Sequence, residues 1–408
     1  MTVNAVLHYQ WKVIYYENDE IEEVDWNDSM TMNTYVCSIC GVSYPSGDIM
    51  YLCPADDGVL EIELDYLGII RDGWRPRKMG PGDMSMWRYS ALLPIGSQMQ
   101  GMGILGAVGG TPLVYVSQLN SEIGERVWIK NDSLLPTGSL KDRSSAVVVA
   151  DAMERDVDVI MTASTGNAGV ALAGMAAAGG LSAVVLAPAS APIGKIEQIV
   201  AYGAKLVLVD GSYSDAYDVA VQASHEMGIY CRNTGFNPFT IEGKKTVSYE
   251  ICEQLTGILD DGNEGGYWKV PDVVIVPVGD GNMIAGVYKG FADLLAVGVV
   301  SRIPKIVGVQ ADGSSAIASA YNNGDNVIAE VESNTIADSI SADRPADGYR
   351  AINAAKKSGG QYLTVSDSAI EIAVRELSSM TGIFAEASAA VSFAGLRMMQ
   401  QSKWINSD

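Results

Sequence analysis

Histidine is nearly missing from this chain: 408 residues contain two, His8 and His225. That argues against a hydrolase or metalloenzyme built on histidine chemistry. His225, in AVQASHEMG, reads as a helix-surface residue. Basic residues are also scarce, with 27 Lys and Arg against 49 Asp and Glu and a formal net charge of -22. Such a surface repels phosphate backbones, so no nucleic-acid partner is expected, although a site with local donors can still bind small anions. Five cysteines are too few and too unevenly placed for a disulfide framework, which predicts a reducing, cytoplasmic setting. The N-terminal MTVNAVLHYQWK lacks the apolar run of a signal peptide. One uncharged stretch, Asn167 to Gly194, has the length of a membrane span. Gly179-Gly180 breaks it and Pro188 and Pro192 end it, so it reads as a helix, a turn and a buried strand, and no membrane partner is expected.

What is abundant is core-forming sequence: 48% of residues are hydrophobic and 19% charged, which excludes a disordered chain. The length predicts two to three domains. From about Val127 onward, short apolar runs alternate with helix-length segments: VDVIMT, LSAVVLA, AKLVLVD, MGIYC, PDVVIVPV, PKIVGVQ and GGQYLTV. Continuous β-rich runs spaced by helices predict α/β architecture, with parallel sheets covered on both faces. Before them, YVCSICGVSYP and IMYLCPADDGVLEIELDY read as short strands. Residues 74–112 read as a connecting segment ending in GGTPL. In parallel sheets, ligands sit where strand ends meet helix N-termini, so the loops after strands are where chemistry is expected.

Three loops stand out. LLPTGSLKDRSS, residues 134–145, has a turn at Pro136 and Gly138, then Ser139 and Asp142 spaced as a capping box. Lys141 falls in the first helical turn, where the positive helix dipole should lower its pKa and favour a free amine. On this loop alone, a solvated surface lysine is the simpler reading. TASTGNAGVAL, residues 162–172, presents Ser164, Thr165 and Asn167 beside exposed backbone amides, a cradle suited to a carboxylate. An ordinary helix cap is its bland alternative. VPVGDGNMIAG, residues 276–286, carries Gly279 and Gly281, which admit a phosphate close to the backbone, and Asn282 as a further donor. Asp280 is the anomaly there, because a carboxylate repels a phosphate unless it points away. A low-pKa lysine, a carboxylate cradle and a phosphate cradle together are what an amino-acid-handling pyridoxal-phosphate site requires.

PTGSLKDR, ASTGNAG and VPVGDGN, in that order, resemble the fold-type II pyridoxal-phosphate enzymes, the tryptophan synthase beta-like group, and within them the threonine synthases. MWRYSALLP (86–94), GGTPLV (109–114), NPFTIEGKKTVSYEICEQL (237–255), GVQADGSSAI (308–317) and TIADSIS (335–341) extend the resemblance from about Tyr35 to Met399. It implies two doubly wound α/β domains with the cofactor between them. The large domain would be 86–129 plus 234–408, and the small mobile domain 130–233. Residues 1–30 would be an N-terminal extension, and 31–70 a zinc-ribbon-like segment. By position, Lys141 would hold the cofactor as a Schiff base. Asn167, Gly279, Gly281, Asn282 and Met283 would bind the cofactor. Ser164, Thr165, Asn167, Ala168, Asn233, Thr234 and Thr240 would line the substrate. The implied reaction converts O-phosphohomoserine and water to threonine and phosphate, on a homodimer.

The chain departs from that family in three places. Thr240 stands where many members carry an arginine that pairs with the substrate phosphate, and Ala168 where relatives often have threonine. Lys244, Lys245 or Arg232 is expected to compensate. The alternatives are β-replacement or dehydration of phosphoserine, serine or threonine, or a non-catalytic protein that binds the cofactor. Third, the family's last strand and its Thr-Gly-rich loop do not follow the helix AEASAAVSFAGLRMMQQ. The expectation is a chain cut short of them, or Ser388 as the partner of the pyridine nitrogen.

Cys37-x-x-Cys40 and Cys53 resemble a zinc ribbon whose fourth position is Asp56. A Cys3Asp zinc site and a ribbon that folds without metal are both open readings.

Overall fold

Each apolar run named above forms a strand, and the helix-length segments between them lie across the sheets. The computed structural model describes residues 33–46, 51–75, 83–96, 99, 101–164, 166–189, 191, 193–259, 267–325, 327–402 and 404. The proposed extension 1–30 and Thr165 lie outside the described residues.

The chain opens on a small antiparallel sheet of β1 (Thr34–Cys37), β2 (Ser43–Pro45) and β3 (Leu60–Glu63), ordered β2-β1-β3. Helix α1 (Tyr66–Arg71), a 3-10 helix at Met86–Leu92 and α2 (Gly103–Gly106) follow. Then β4 (Leu113–Tyr115), α3 (Ser117–Ile123) and β5 (Trp128–Lys130) bring β4 and β5 together antiparallel.

The next segment runs α4 (Lys141–Glu154), β6 (Val159–Ala163), α5 (Asn167–Gly179), β7 (Ser182–Pro188), α6 (Ile193–Ala201), β8 (Lys205–Val209), α7 (Tyr213–Met227) and β9 (Tyr230–Cys231). Its strands form an all-parallel sheet of order β8-β7-β6-β9. Helices α8 (Phe239–Lys244) and α9 (Thr246–Ile258) lead back to a second sheet. There β10 (Val273–Pro277), α10 (Asn282–Ala296), β11 (Lys305–Ala311), α11 (Ala316–Asn323), α12 (Gly348–Ser358) and β12 (Gln361–Val365) give the parallel order β10-β11-β12. Helices α13 (Asp367–Thr381) and α14 (Ala387–Gln401) complete the order.

Central strand β11 is buried from Ile306 to Ala311, as expected of a strand covered on both faces. Helix α4 is buried along Asp142–Ala152, so it is an interior helix and not an amphipathic surface one. It can lie that deep because α8 crosses it at a glycine. A Cβ on Gly243 would stand 1.9 Å from the Arg143 carbonyl oxygen, so a larger residue would push the two helices apart. The crossing sets the start of α4, and hence Lys141, against the segment that carries residues 232–245. Among the described residues no helix is long and apolar enough to cross a membrane.

Candidate active site

Lys141 is the first residue of α4, as its loop predicts, but the cap differs from the expected one. No side chain caps this helix, and Asp142 instead accepts hydrogen bonds from the Thr137 amide (2.7 Å) and the Thr137 hydroxyl. The turn at Gly138, with φ +87, folds Thr137 back over Asp142 and leaves the buried Ser139 hydroxyl unpartnered. The Ser139–Asp142 capping box is therefore wrong, because tertiary folding of the loop outcompetes the local pattern.

Lys141 is half-buried, and burial holds its amine below the ordinary lysine range. The charge of Glu386 opposes that shift, Arg232 reinforces it, and Asp280 opposes it. Asp280 belongs to the glycine-containing loop before α10, so the lysine and that loop face each other within electrostatic reach. Burial in turn pushes the Asp280 carboxyl up to about 6, against the pull of Lys244, Lys141 and Arg232.

The loop itself is shaped by close approach. Gly281 caps α10 at φ +95, and a Cβ there would come within 2.7 Å of both Ala351 Cβ and the Asp347 carbonyl oxygen. At Gly279 a Cβ would lie 2.8 Å from Ile340 Cα. The first amides of α10, at Asn282 and Met283, have no carbonyl one turn back and point out of the helix end. The Asn282 side chain is buried: it donates to Asp347 (2.6 Å) and Thr240 (3.1 Å) and accepts from Lys244 (2.5 Å).

At the β6–α5 loop, Ser164 and Asn167 are buried and Ala168 half-buried. Ser164 Oγ accepts from the Gly166 amide at 3.2 Å. Asn167 is fully engaged by protein: its oxygen accepts from Lys195 (2.6 Å), and its nitrogen donates to Glu386 (2.8 Å) and Ser339 (3.2 Å). Lys195, Ser339 and Glu386 were not singled out from sequence. They lie 28, 172 and 219 residues from Asn167 with no shared motif, and only the packing of α6, the 338–341 turn and α14 brings them there. Ser388, in the first turn of α14, accepts from the Ser339 amide at 2.9 Å.

After β9, Asn233 is fully buried. Its oxygen accepts from the Ala163 amide (2.7 Å) and the Thr162 hydroxyl (3.2 Å), which leaves its side-chain nitrogen a buried donor without a partner. Thr234 accepts from Arg232 at 2.9 Å. Thr240 is interior, donating to the Asn237 carbonyl at 2.8 Å and accepting from Asn282. Through Glu386, Arg232, Asp280 and Lys195, whose charges bear on Lys141, the described parts of these loops are linked to the start of α4.

The cysteine cluster lies in the small antiparallel sheet. The donor atoms of Cys37, Cys40, Cys53 and Asp56 all lie within 4.8 Å of one another. The amides of Ile39 and Cys40 point at Cys37 Sγ, at 3.4 and 3.5 Å.

A family model for pyridoxal-phosphate dependent enzymes matches residues 104–408. Threonine synthase of Methanocaldococcus jannaschii is 36% identical over 375 residues, 91% of this chain and 89% of that protein. Threonine synthase of Methanosarcina acetivorans is 34% identical over 366 residues, 89% of this chain and 86% of that one. Among solved structures, maize serine racemase superposes with TM-score 0.64 at 22% identity, covering 81% of this chain and 91% of that chain. The processed form of threonine deaminase isoform 2 from Solanum lycopersicum gives TM-score 0.61 at 21% identity, covering 81% and 83%. At such identities the structural likeness speaks for the fold alone.

Proposed function

Because the chain belongs to the pyridoxal-phosphate dependent enzyme family and matches threonine synthases along most of its length, we infer that it is a threonine synthase, a lyase that converts O-phosphohomoserine and water to threonine and phosphate. The observation that carries the reading is Lys141 at the buried start of α4, within electrostatic reach of the Asp280 loop.

The residues present fit the cofactor. An amine held below its usual range suits a carbonyl partner. The open amides of Asn282 and Met283 suit a phosphate, and the orphaned Asn233 nitrogen is a buried donor beside the β6–α5 loop. When bound, pyridoxal phosphate supplies an electron sink for the charge left at carbon when a proton is removed.

The protein's part is binding and proton handling. The amides at the start of α10, with Gly279 and Gly281, would hold the cofactor phosphate, and Asn282 fixes that helix end through Asp347 and Lys244. Ser164, Thr165 and the backbone amide of Asn167 would orient the substrate carboxylate, the Asn167 side chain being held by Lys195, Glu386 and Ser339. Ala168, Asn233, Thr234 and Thr240 would line the substrate. Lys141 takes and returns protons at Nζ, because burial keeps its neutral and charged forms closer in energy than in water. A chain of residues 130–233 moving against the rest would exclude water from all but the intended step.

Product analysis tests the assignment: holoenzyme given O-phosphohomoserine should form threonine and phosphate in equal amounts. Phosphate released with another product would reject it. The rival reading, elimination or replacement on serine or threonine, draws on the uncharged Thr240 and Ala168. It would show as turnover of unphosphorylated amino acids.

A homodimer in the cytoplasm completes the proposal. Mass measurement in solution tests the dimer. We also assign Cys37, Cys40, Cys53 and Asp56 as a structural zinc site. At zinc–thiolate distances a tetrahedron has edges of roughly 3.8 Å, and Cys40 and Cys53 place their sulfurs 3.8 Å apart.

A further inference from the structure

Five cationic side chains are buried among the described residues: Arg143, Arg232, Lys244, Lys245 and Arg350. Three are neutralised on the spot. Arg143 pairs with Asp132 (2.8 Å) and Glu250 (2.7 Å), Lys245 with Asp293 (2.9 Å) and Glu242, and Arg350 with Asp347 (2.5 Å). Arg232 and Lys244 have no carboxylate within ion-pair distance among the described residues. Arg232, 1% exposed, donates only to hydroxyls: Thr234 at 2.9 Å, Ser145 at 3.2 Å and Ser144 at 3.3 Å. Lys244, 3% exposed, donates to the amide oxygen of Asn282.

A buried cation without a counter-ion is costly, and two within mutual reach are costlier. Burial, then the charges of Arg232 and Lys141, hold the Lys244 amine well below the ordinary lysine range, so a nearby anion is what would keep it protonated. Asp280 acts on both cations from a distance, while Asp347 is already held by Arg350. Burial drives the Arg232 guanidinium down to about 10, which measures how poorly its charge is met. Two basic side chains therefore lie buried near one another with no carboxylate in ion-pair distance among the described residues, and a bound dianion is what would balance them.

Resting on the threonine synthase reading, we propose that Arg232, with Lys244 beside it, is the receptor for the phosphate of the substrate. Lys245 is excluded from that role by its own ion pairs. Two phosphate monoesters enter this enzyme, and the placement separates them. In the proposed site the amides that start α10 would hold the cofactor phosphate. Arg232 instead sits among hydroxyls of α4 and of the segment after β9. Because Arg232 can engage two phosphate oxygens at once, it is the specificity-determining member of the pair.

The test uses holoenzyme carrying Arg232→Gln, Arg232→Lys or Lys244→Gln. Arg232→Gln should raise KM for O-phosphohomoserine by roughly 10- to 100-fold, the usual loss for a hydrogen bond to a charged group. Inhibition by inorganic phosphate should weaken by a similar factor, Arg232→Lys should restore part of both, and the visible band and cofactor content should not change. If Arg232→Gln does not fold, the same readouts on Lys244→Gln and Arg232→Lys decide. Loss of cofactor with an unchanged KM after reconstitution assigns the cations to the cofactor phosphate and overturns the proposal. Unchanged KM and unchanged phosphate inhibition overturn it too. Calorimetric binding of inorganic phosphate to wild-type and variant holoenzyme tests the receptor even if the wild type yields no threonine, so the two readings fail separately.

Discussion

Thr240 and Lys244 stand one turn apart on α8 and meet the same side chain, with Asn282 donating to Thr240 Oγ1 at 3.1 Å and accepting from Lys244 Nζ at 2.5 Å. Spacing of four residues puts both on one helix face. The face that lacks a basic side chain at Thr240 thus presents one at Lys244, and Asn282 ties it to the start of α10. A neutral residue at position 240 does not leave this helix face without a basic group.

Lys141→Ala removes the amine but little packing, since the side chain is half-buried. Threonine formation should fall by at least about a thousandfold, and the visible band of the bound cofactor should vanish. The melting temperature of cofactor-free protein should change little. A variant that keeps the band would remove Lys141 from the chemistry.

The amine of Lys141 is lowered by burial, with Glu386 pulling it back up. Glu386→Gln removes that upward pull, so the amine should lose its proton at lower pH than in the wild type. The readout is the rate at which cofactor-free protein takes up pyridoxal phosphate as a function of pH. The half-rise should move to lower pH in the variant, and a move in the other direction contradicts the arrangement.

Glu250 is fully buried, and burial raises its pKa, yet Arg143 and Lys130 override that and bring it from 4.5 to about 2. Its ionised form is favoured in the fold, so its contribution is present above the unfolded value. It is lost as pH falls from about 4.5 to about 2, and the shift corresponds to about 3 kcal/mol. Glu250→Gln should destabilise by a similar ~3 kcal/mol at pH 7, because Arg143 and Lys130 stay buried without their anion. Urea unfolding should show the gap between wild type and variant closing as the pH approaches 2. Since Arg143 lies two residues after Lys141, activity should fall as well.

Gly281→Ala places a Cβ at φ +95 against Ala351 and Asp347. Backbone strain alone costs about 1–3 kcal/mol. The variant should melt earlier and bind the cofactor less tightly, as measured by calorimetry and by titration of the visible band. Gly41, also at positive φ (+72) but with open space around its Cβ position, is the matched control and should be milder.

Purified protein should contain one zinc per chain by elemental analysis, lost in Cys53→Ser. Removal should lower the melting temperature and leave the cofactor band intact, because the cluster lies in the small antiparallel sheet. Asp56→Cys should bind zinc more tightly than the wild type, since thiolate is the softer ligand. Protein free of zinc after metal-supplemented expression would reject the site.

By itself the sequence determined the strands after Val127, the family, Lys141 at a helix start and the four donors of the cysteine cluster. All of these are written in short stretches: apolar runs of strand length, glycine turns, and donors three to thirteen residues apart. Only the tertiary structure decided which charges are met and which are not. Nothing in KKT distinguishes Lys244 from Lys245, but one faces Asn282 and the other Glu242 and Asp293. Local pattern also misassigned Asp142 to Ser139, where the folded loop gives it Thr137. The reason is that a counter-ion is chosen by distance in space: Glu242 is near Lys245 in sequence, but Asp293 reaches it from α10.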